Sequence, residues 1–138
     1  MNDIKNKITD LFYDIEKKNI SYEDLKYILE NILDGKVSKK EVYSFLELLH
    51  FSTVSKTISK NGDIDFWALK VAHIIEKYNF HSGQLFYQRV KRYKEKTLFI
   101  TIEGDNEKTI SYNKFWNDLN LISRSIKTLS KNSNLTIG

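Results

Sequence analysis

Leu98-Phe99-Ile100-Thr101-Ile102-Glu103-Gly104-Asp105-Asn106-Glu107-Lys108-Thr109-Ile110-Ser111-Tyr112 is the stretch that decides the fold class. Leu98, Ile100 and Ile102 alternate with Phe99, Thr101 and Glu103, the period of two that a pleated strand imposes. Gly104-Asp105-Asn106-Glu107 supplies turn chemistry, and Lys108-Thr109-Ile110 returns as a second strand. Ser111 then stands where a helix N-cap is wanted, ahead of Phe115, Leu119, Ile122, Ile126 and Leu129, which step by four and three along one helical face. Lys131 to Asn134 is expected to loop into a new strand at Leu135-Thr136-Ile137. Upstream, Ser82 can cap a helix carrying Leu85, Phe86, Val90 and Tyr93. Helix, hairpin, helix and a truncated strand are therefore expected over residues 81–138.

Residues 1–80 carry a different pattern, a bundle of helices. Ile4, Ile8, Leu11, Phe12 and Ile15 share one face of a first helix. Ser21-Tyr22-Glu23-Asp24 is a capping box in which the Ser21 hydroxyl takes an orphan amide and the Asp24 carboxylate reaches back, with Ile20 and Leu25 spaced as a hydrophobic staple. Leu25, Ile28, Leu29, Ile32 and Leu33 form the inward face of this second helix, and Gly35 sits where a left-handed C-cap belongs. Ser38 to Glu41 repeats the box and Val37 with Val42 the staple, opening a third helix with Val42, Phe45, Leu46 and Leu49 inward. The polar, Ser/Thr/Lys-rich stretch 52–62 is expected to be a connection holding at most a short helical turn. Beyond it, Ala68, Val71, Ala72 and Ile75 form a stripe that Ile64, Leu69 and Ile74 widen, so this helix is expected to be covered on more than one side. The fold class expected is mainly α with a small β element.

Composition narrows the function classes. The 138 residues include no cysteine, which excludes disulfides, thiolate chemistry and cysteine-bound zinc. Proline is also absent, where average usage would give roughly seven, so helices meet few breakers. An apolar fraction of 41% provides for a packed core, and no run approaches the roughly 20 apolar residues of a membrane span. Met1 to Lys7 lacks the apolar segment of a signal peptide, so the cytoplasm is the expected compartment. The formal charge of +4 is read as a lysine-rich solvated surface, with neither nucleic acid nor membrane expected as a partner.

Two resemblances add to this reading. Ile20 to Leu25, Ile28 to Ser38, and then Val42, Phe45-Leu46 and Leu48-Leu49-His50 resemble the small helical N-terminal domain of the anthranilate phosphoribosyltransferase and nucleoside phosphorylase group, over about residues 4–51. In that group the domain commonly builds a dimer interface, so the resemblance implies association, here a homodimer through the first three helices. The group's glycine-rich pyrophosphate loop has no counterpart beyond the isolated Gly62-Asp63, and its activity is not carried over.

Residues 82–138 resemble the N-terminal edge of the adenylate-forming superfamily of acyl-CoA synthetases, nonribosomal-peptide adenylation domains and luciferases. The resemblance rests on the Leu85-Phe86 helix, the hairpin, and Ile110-Ser111-Tyr112-Asn113-Lys114-Phe115, which stands for Leu-Thr/Ser-Tyr-x-Glu-Leu. Lys114 replaces the usual Glu, removing the acidic capping partner, and Phe115 replaces the usual Leu. It implies ATP- and magnesium-dependent activation of a carboxylate as an acyl-adenylate, with transfer to coenzyme A or a carrier protein. The phosphate loop and the catalytic lysine of such an enzyme have no match in this sequence. No catalytic, cofactor-binding or metal-binding residue is therefore nominated, and the function expected is that of an N-terminal piece of such a ligase, AMP-binding in its entirety, with a helical docking module in front. The alternatives are a stand-alone helical interaction protein and a piece of a phosphoribosyltransferase-like enzyme.

Other groupings carry less. His50, His73 and His81 lack the i, i+4 partners and nearby carboxylates of a metal site and are expected to be structural. Asn61-Gly62-Asp63-Ile64-Asp65 resembles half of a calcium loop, but Ala68 stands where the bidentate Glu belongs and Thr57 where the first Asp belongs. Arg89, Lys91, Arg92, Lys94 and Lys96, interleaved with Tyr87 and Tyr93, spread around a helix and are read as its solvated end.

Overall fold

The computed structural model describes the backbone of residues 2–133 and the side chains of 3–131. Among these residues lie seven helices and one two-stranded antiparallel sheet, mainly α with a small β element. The expected strand Leu135-Thr136-Ile137 lies outside the described residues. The chain divides into two compact units, Met1–Gln88 and Arg89–Gly138.

The first unit holds α1 (Asn2–Lys17), α2 (Tyr22–Leu33), α3 (Lys39–Leu48), α4 (Ser52–Asn61), α5 (Ile64–Tyr78) and the opening turns of α6 (Ser82–Tyr93). The capping chemistry is as expected on the serine side: Ser21 Oγ accepts from the Asp24 amide at 3.2 Å and Ser38 Oγ from the Glu41 amide at 3.4 Å. The return half of the first box is not made, because the Asp24 carboxylate takes the Lys7 ammonium of α1 at 2.7 Å instead. Gly35 ends α2 at φ +72°, and the Lys36 amide reaches back to the Asn31 carbonyl at 3.0 Å, closing the helix without a Cβ penalty.

Ile4, Ile8, Leu11, Leu25, Ile28, Leu29, Ile32, Val42, Phe45 and Leu46 all lie in one core, to which Val54, Trp67, Ile74 and Phe80 are added. At about 1.5–3 kcal/mol per fully buried aliphatic or aromatic side chain, this cluster is the dominant favourable term of the unit.

Three expectations are corrected here. Residues 52–61 form a full helix, not a connection. Val54 is buried and Ile58 half-buried one turn later, so the stretch has an inward face, while Thr57, Ser59 and Asn61 return their side chains to carbonyls four residues back. The inward face of α5 is Trp67, Val71, Ile74, Ile75 and Tyr78, so Val71 and Ile75 of the expected stripe are inward, but Ala68 and Ala72 are exposed because the larger side chains remove more area from water. That helix is also covered on one side only, since Ile64, Phe66 and Leu69 are exposed, Leu69 at 69%. Its end is fastened by Asn79 in the left-handed region, the Tyr43 hydroxyl donating to the Tyr78 carbonyl at 2.8 Å, and the Phe80 ring edge-on to Tyr43 at 5.1 Å.

The second unit holds the last turn of α6, β1 (Thr97–Glu103), β2 (Asn106–Ser111) and α7 (Tyr112–Ser133). Ser82 is the first residue of α6 rather than the residue before it. The hairpin is tighter than the sequence indicates, with Gly104 and Asp105 alone between the strands and Glu103 opposite Asn106. Gly104 has φ +60°, the conformation a two-residue turn of type II′ demands at its first position. Residues 131–133, expected as loop, continue α7.

Candidate functional site

The N-terminus of α7 is where the segment Ile110 to Phe115 is built into the fold. Lys94 adopts φ +42° after α6, which turns the chain so that its carbonyl and that of Lys96 point at the start of α7. The Asn113 amide donates to the Lys94 carbonyl at 3.0 Å and the Tyr112 amide to the Lys96 carbonyl at 3.2 Å, while Ser111 Oγ accepts from the Lys114 amide at 3.1 Å. These are amides that a helix start leaves without intrahelical partners. With all of them engaged, the helix start presents no anion cradle.

A carboxylate from another element reaches this helix start. Glu95, in the loop before β1, receives Ser111 Oγ–H on one carboxylate oxygen at 3.4 Å and the Asn113 side-chain amide on the other. A carboxylate there also meets the positive end of the helix dipole. Lys114 itself pairs with Asp118 one turn on, at 2.6 Å and exposed to solvent. Glu95 was not singled out from the sequence; the available signal was an acidic residue in the short loop preceding a strand whose hairpin returns to a capped helix.

α7 packs on the hairpin through Phe115, whose ring stands edge-on to Phe99 at 5.2 Å, and Tyr112 contacts Tyr93 at 5.2 Å. Pleating puts Ile100 and Ile102 on the sheet face opposite Phe99, and both are exposed, Ile102 at 73%. At 22 residues α7 is about 33 Å long against roughly 23 Å for the seven residues of β1. Leu119, Ile122, Ile126 and Leu129, which continue the stripe begun by Phe115, are all exposed, and so is Leu121. Of the described residues in this unit, Val90 alone is buried. The arrangement leaves apolar surface open on both its layers.

The remaining candidates resolve into structural roles. His50, just past the end of α3, has Nδ1 2.8 Å from the Leu46 carbonyl, and His73 on α5 and His81 before α6 are exposed. Among the described residues no cluster of three or more His, Cys, Asp or Glu could hold a metal. Asp63 caps α5 by accepting from the Phe66 amide at 3.0 Å. Gly62 lies against Tyr22 and Trp67, whose Nε1–H donates to the Tyr22 hydroxyl at 3.3 Å. In the basic run, Arg89 donates to the Tyr93 hydroxyl at 3.4 Å and the Lys96 ammonium stands 5.3 Å over the Tyr93 ring.

An open groove of about 550 Å³ between α1 and α2 is lined by Asp3, Lys7, Glu23, Asp24, Lys26, Tyr27 and Glu30. Hydrogen bonding to Asp24 raises the Lys7 pKa, so the cation stays charged and fills part of the groove. Glu47 and Gln88 are buried polar residues the sequence did not flag, yet no buried side-chain nitrogen or oxygen among the described residues lacks a hydrogen-bond partner. No helix among the described residues is long and apolar enough to cross a membrane.

No protein-family model, curated protein or solved structure matches this chain.

Proposed function

We propose that the chain is the leading part of an ATP-dependent, adenylate-forming ligase, and that residues 1–80, most of its first unit, are a docking module. The observation that carries this reading is the exposed apolar stripe of α7 together with the outer face of the hairpin. Exposed apolar patches mark packing interfaces, and a helix, hairpin and capped helix that leave separate apolar patches open on the α7 stripe and on the outer hairpin face suit the rim of a larger α/β body. The order of elements and the Ile110 to Phe115 segment support the same reading, and Glu95 steadies the start of that segment's helix through Ser111 and Asn113.

In such a ligase a carboxylate oxygen attacks the α-phosphate of ATP, expelling pyrophosphate, and a thiol of coenzyme A or a carrier protein then displaces AMP from the mixed anhydride. Magnesium and the phosphate-gripping groups belong to the body of the enzyme. Residues 82–138 contribute framework to that body. The first unit pairs two copies or seats a partner, and the side chains its helices leave at the surface for this include Tyr13 and Tyr27.

The test is ATP–pyrophosphate exchange against a panel of carboxylic acids, run on the complete product of the reading frame and on the 138-residue chain. Exchange that depends on both an acid and sequence beyond residue 138 is the expected result. A stop codon after Gly138, or a longer product with no acid-dependent exchange, overturns the ligase. A second reading, a self-contained helical interaction protein, is favoured by the closed core of the first unit. Sedimentation across a concentration range separates dimer from monomer in either case.

A further inference from the structure

We draw no further inference here: the strongest candidate, the exposed apolar surface made by the α7 stripe and the outer face of the β1–β2 hairpin, already carries the proposed function, and nothing in the structure shows what covers it.

Discussion

The two units solve the same problem to different degrees. In the first, every helix from α1 to α5 places at least one large side chain in a common core, and the caps decide where each helix stops and turns back. In the second, the caps and the turn are equally well formed, with Ser111, Glu95, Lys94 and Gly104 all in their roles, but burial is nearly absent. Local chemistry therefore specifies secondary structure in both, while only the first converts it into an enclosed interior. A two-stranded hairpin is marginal in water without a covering layer, and α7 covers one face of it at one end. The lesson is that a sequence stretch can be locally consistent and still need further surface for stability.

The largest effect expected to test this contrast comes from placing a charge in each unit. Leu29→Asp puts a carboxylate without a partner into the closed core and is expected to cost several kcal/mol, abolishing the cooperative urea transition followed by circular dichroism. Ile122→Asp, on the exposed stripe of α7, is expected to stay within about 0.5 kcal/mol of the parent chain. A loss above about 2 kcal/mol for Ile122→Asp would mean that the stripe is covered in solution and would break the comparison.

Amide hydrogen exchange sharpens the same point without mutation. Amides of α2 and α3 are expected to exchange only through global opening, whereas those of β1 and β2 open locally and exchange orders of magnitude faster. Equal protection in the hairpin and in α2 would contradict the division drawn here.

How much of this was legible in the sequence depended on whether short-range or long-range physics decided the matter. The serine halves of the boxes at Ser21 and Ser38, the C-cap at Gly35 and the cap at Ser111 rest on contacts within a few residues and are present, and so is the hairpin, with a tighter turn. Helix α4 was missed because Ser and Thr look like loop residues until Val54 and Ile58 find an interior to enter. On α5, Val71 and Ile75 were read correctly, but Ala68 and Ala72 were counted in and Trp67 left out, because alanines match a helical period without having much area to bury. Asp24 has two partners within reach in principle, and the choice of Lys7 over its own helix start depends on α1 lying alongside. For the candidate site, the cap at Ser111 was legible and its Glu95 partner was not, since Glu95 reaches Ser111 and Asn113 only after the hairpin has folded back.

A mid-sized effect is expected at Gly62. A methyl group there would stand 2.6 Å from the Tyr22 hydroxyl and 2.9 Å from Trp67 Nε1, so Gly62→Ala must push the α2–α5 contact apart. Overpacking of this kind costs about 1–3 kcal/mol, measurable as a lowered urea midpoint with an unchanged slope. Tyr22→Phe in the same background removes the nearest clashing oxygen and is expected to recover part of that loss, and no recovery would mean that the contacts with the Tyr22 ring and Trp67 carry the strain. In the second unit, Ser111→Ala is expected to cost about 0.5–2 kcal/mol of local stability by leaving the Lys114 amide without its cap, read as faster exchange in the first turn of α7 with no change in α2.

The smallest expected effect concerns the Lys7–Asp24 pair, which crosses from α1 to α2 at 2.7 Å while both side chains remain partly open to water. The hydrogen bond to Asp24 raises the Lys7 pKa above its ordinary value of 10.5, so the folded chain holds this proton more tightly than the unfolded one. A raised cationic pKa contributes stability that is fully present below the unfolded value and is lost as pH rises through the folded one. Lys7→Met should therefore lower stability slightly at neutral pH, lose that difference above the folded-state pKa, and show a smaller deficit at high salt, because the pair is screened. Urea midpoints at neutral and strongly alkaline pH, each at two ionic strengths, measure all three terms. A deficit that persists unchanged at high salt and high pH would show that Lys7 contributes through contacts that do not depend on its charge.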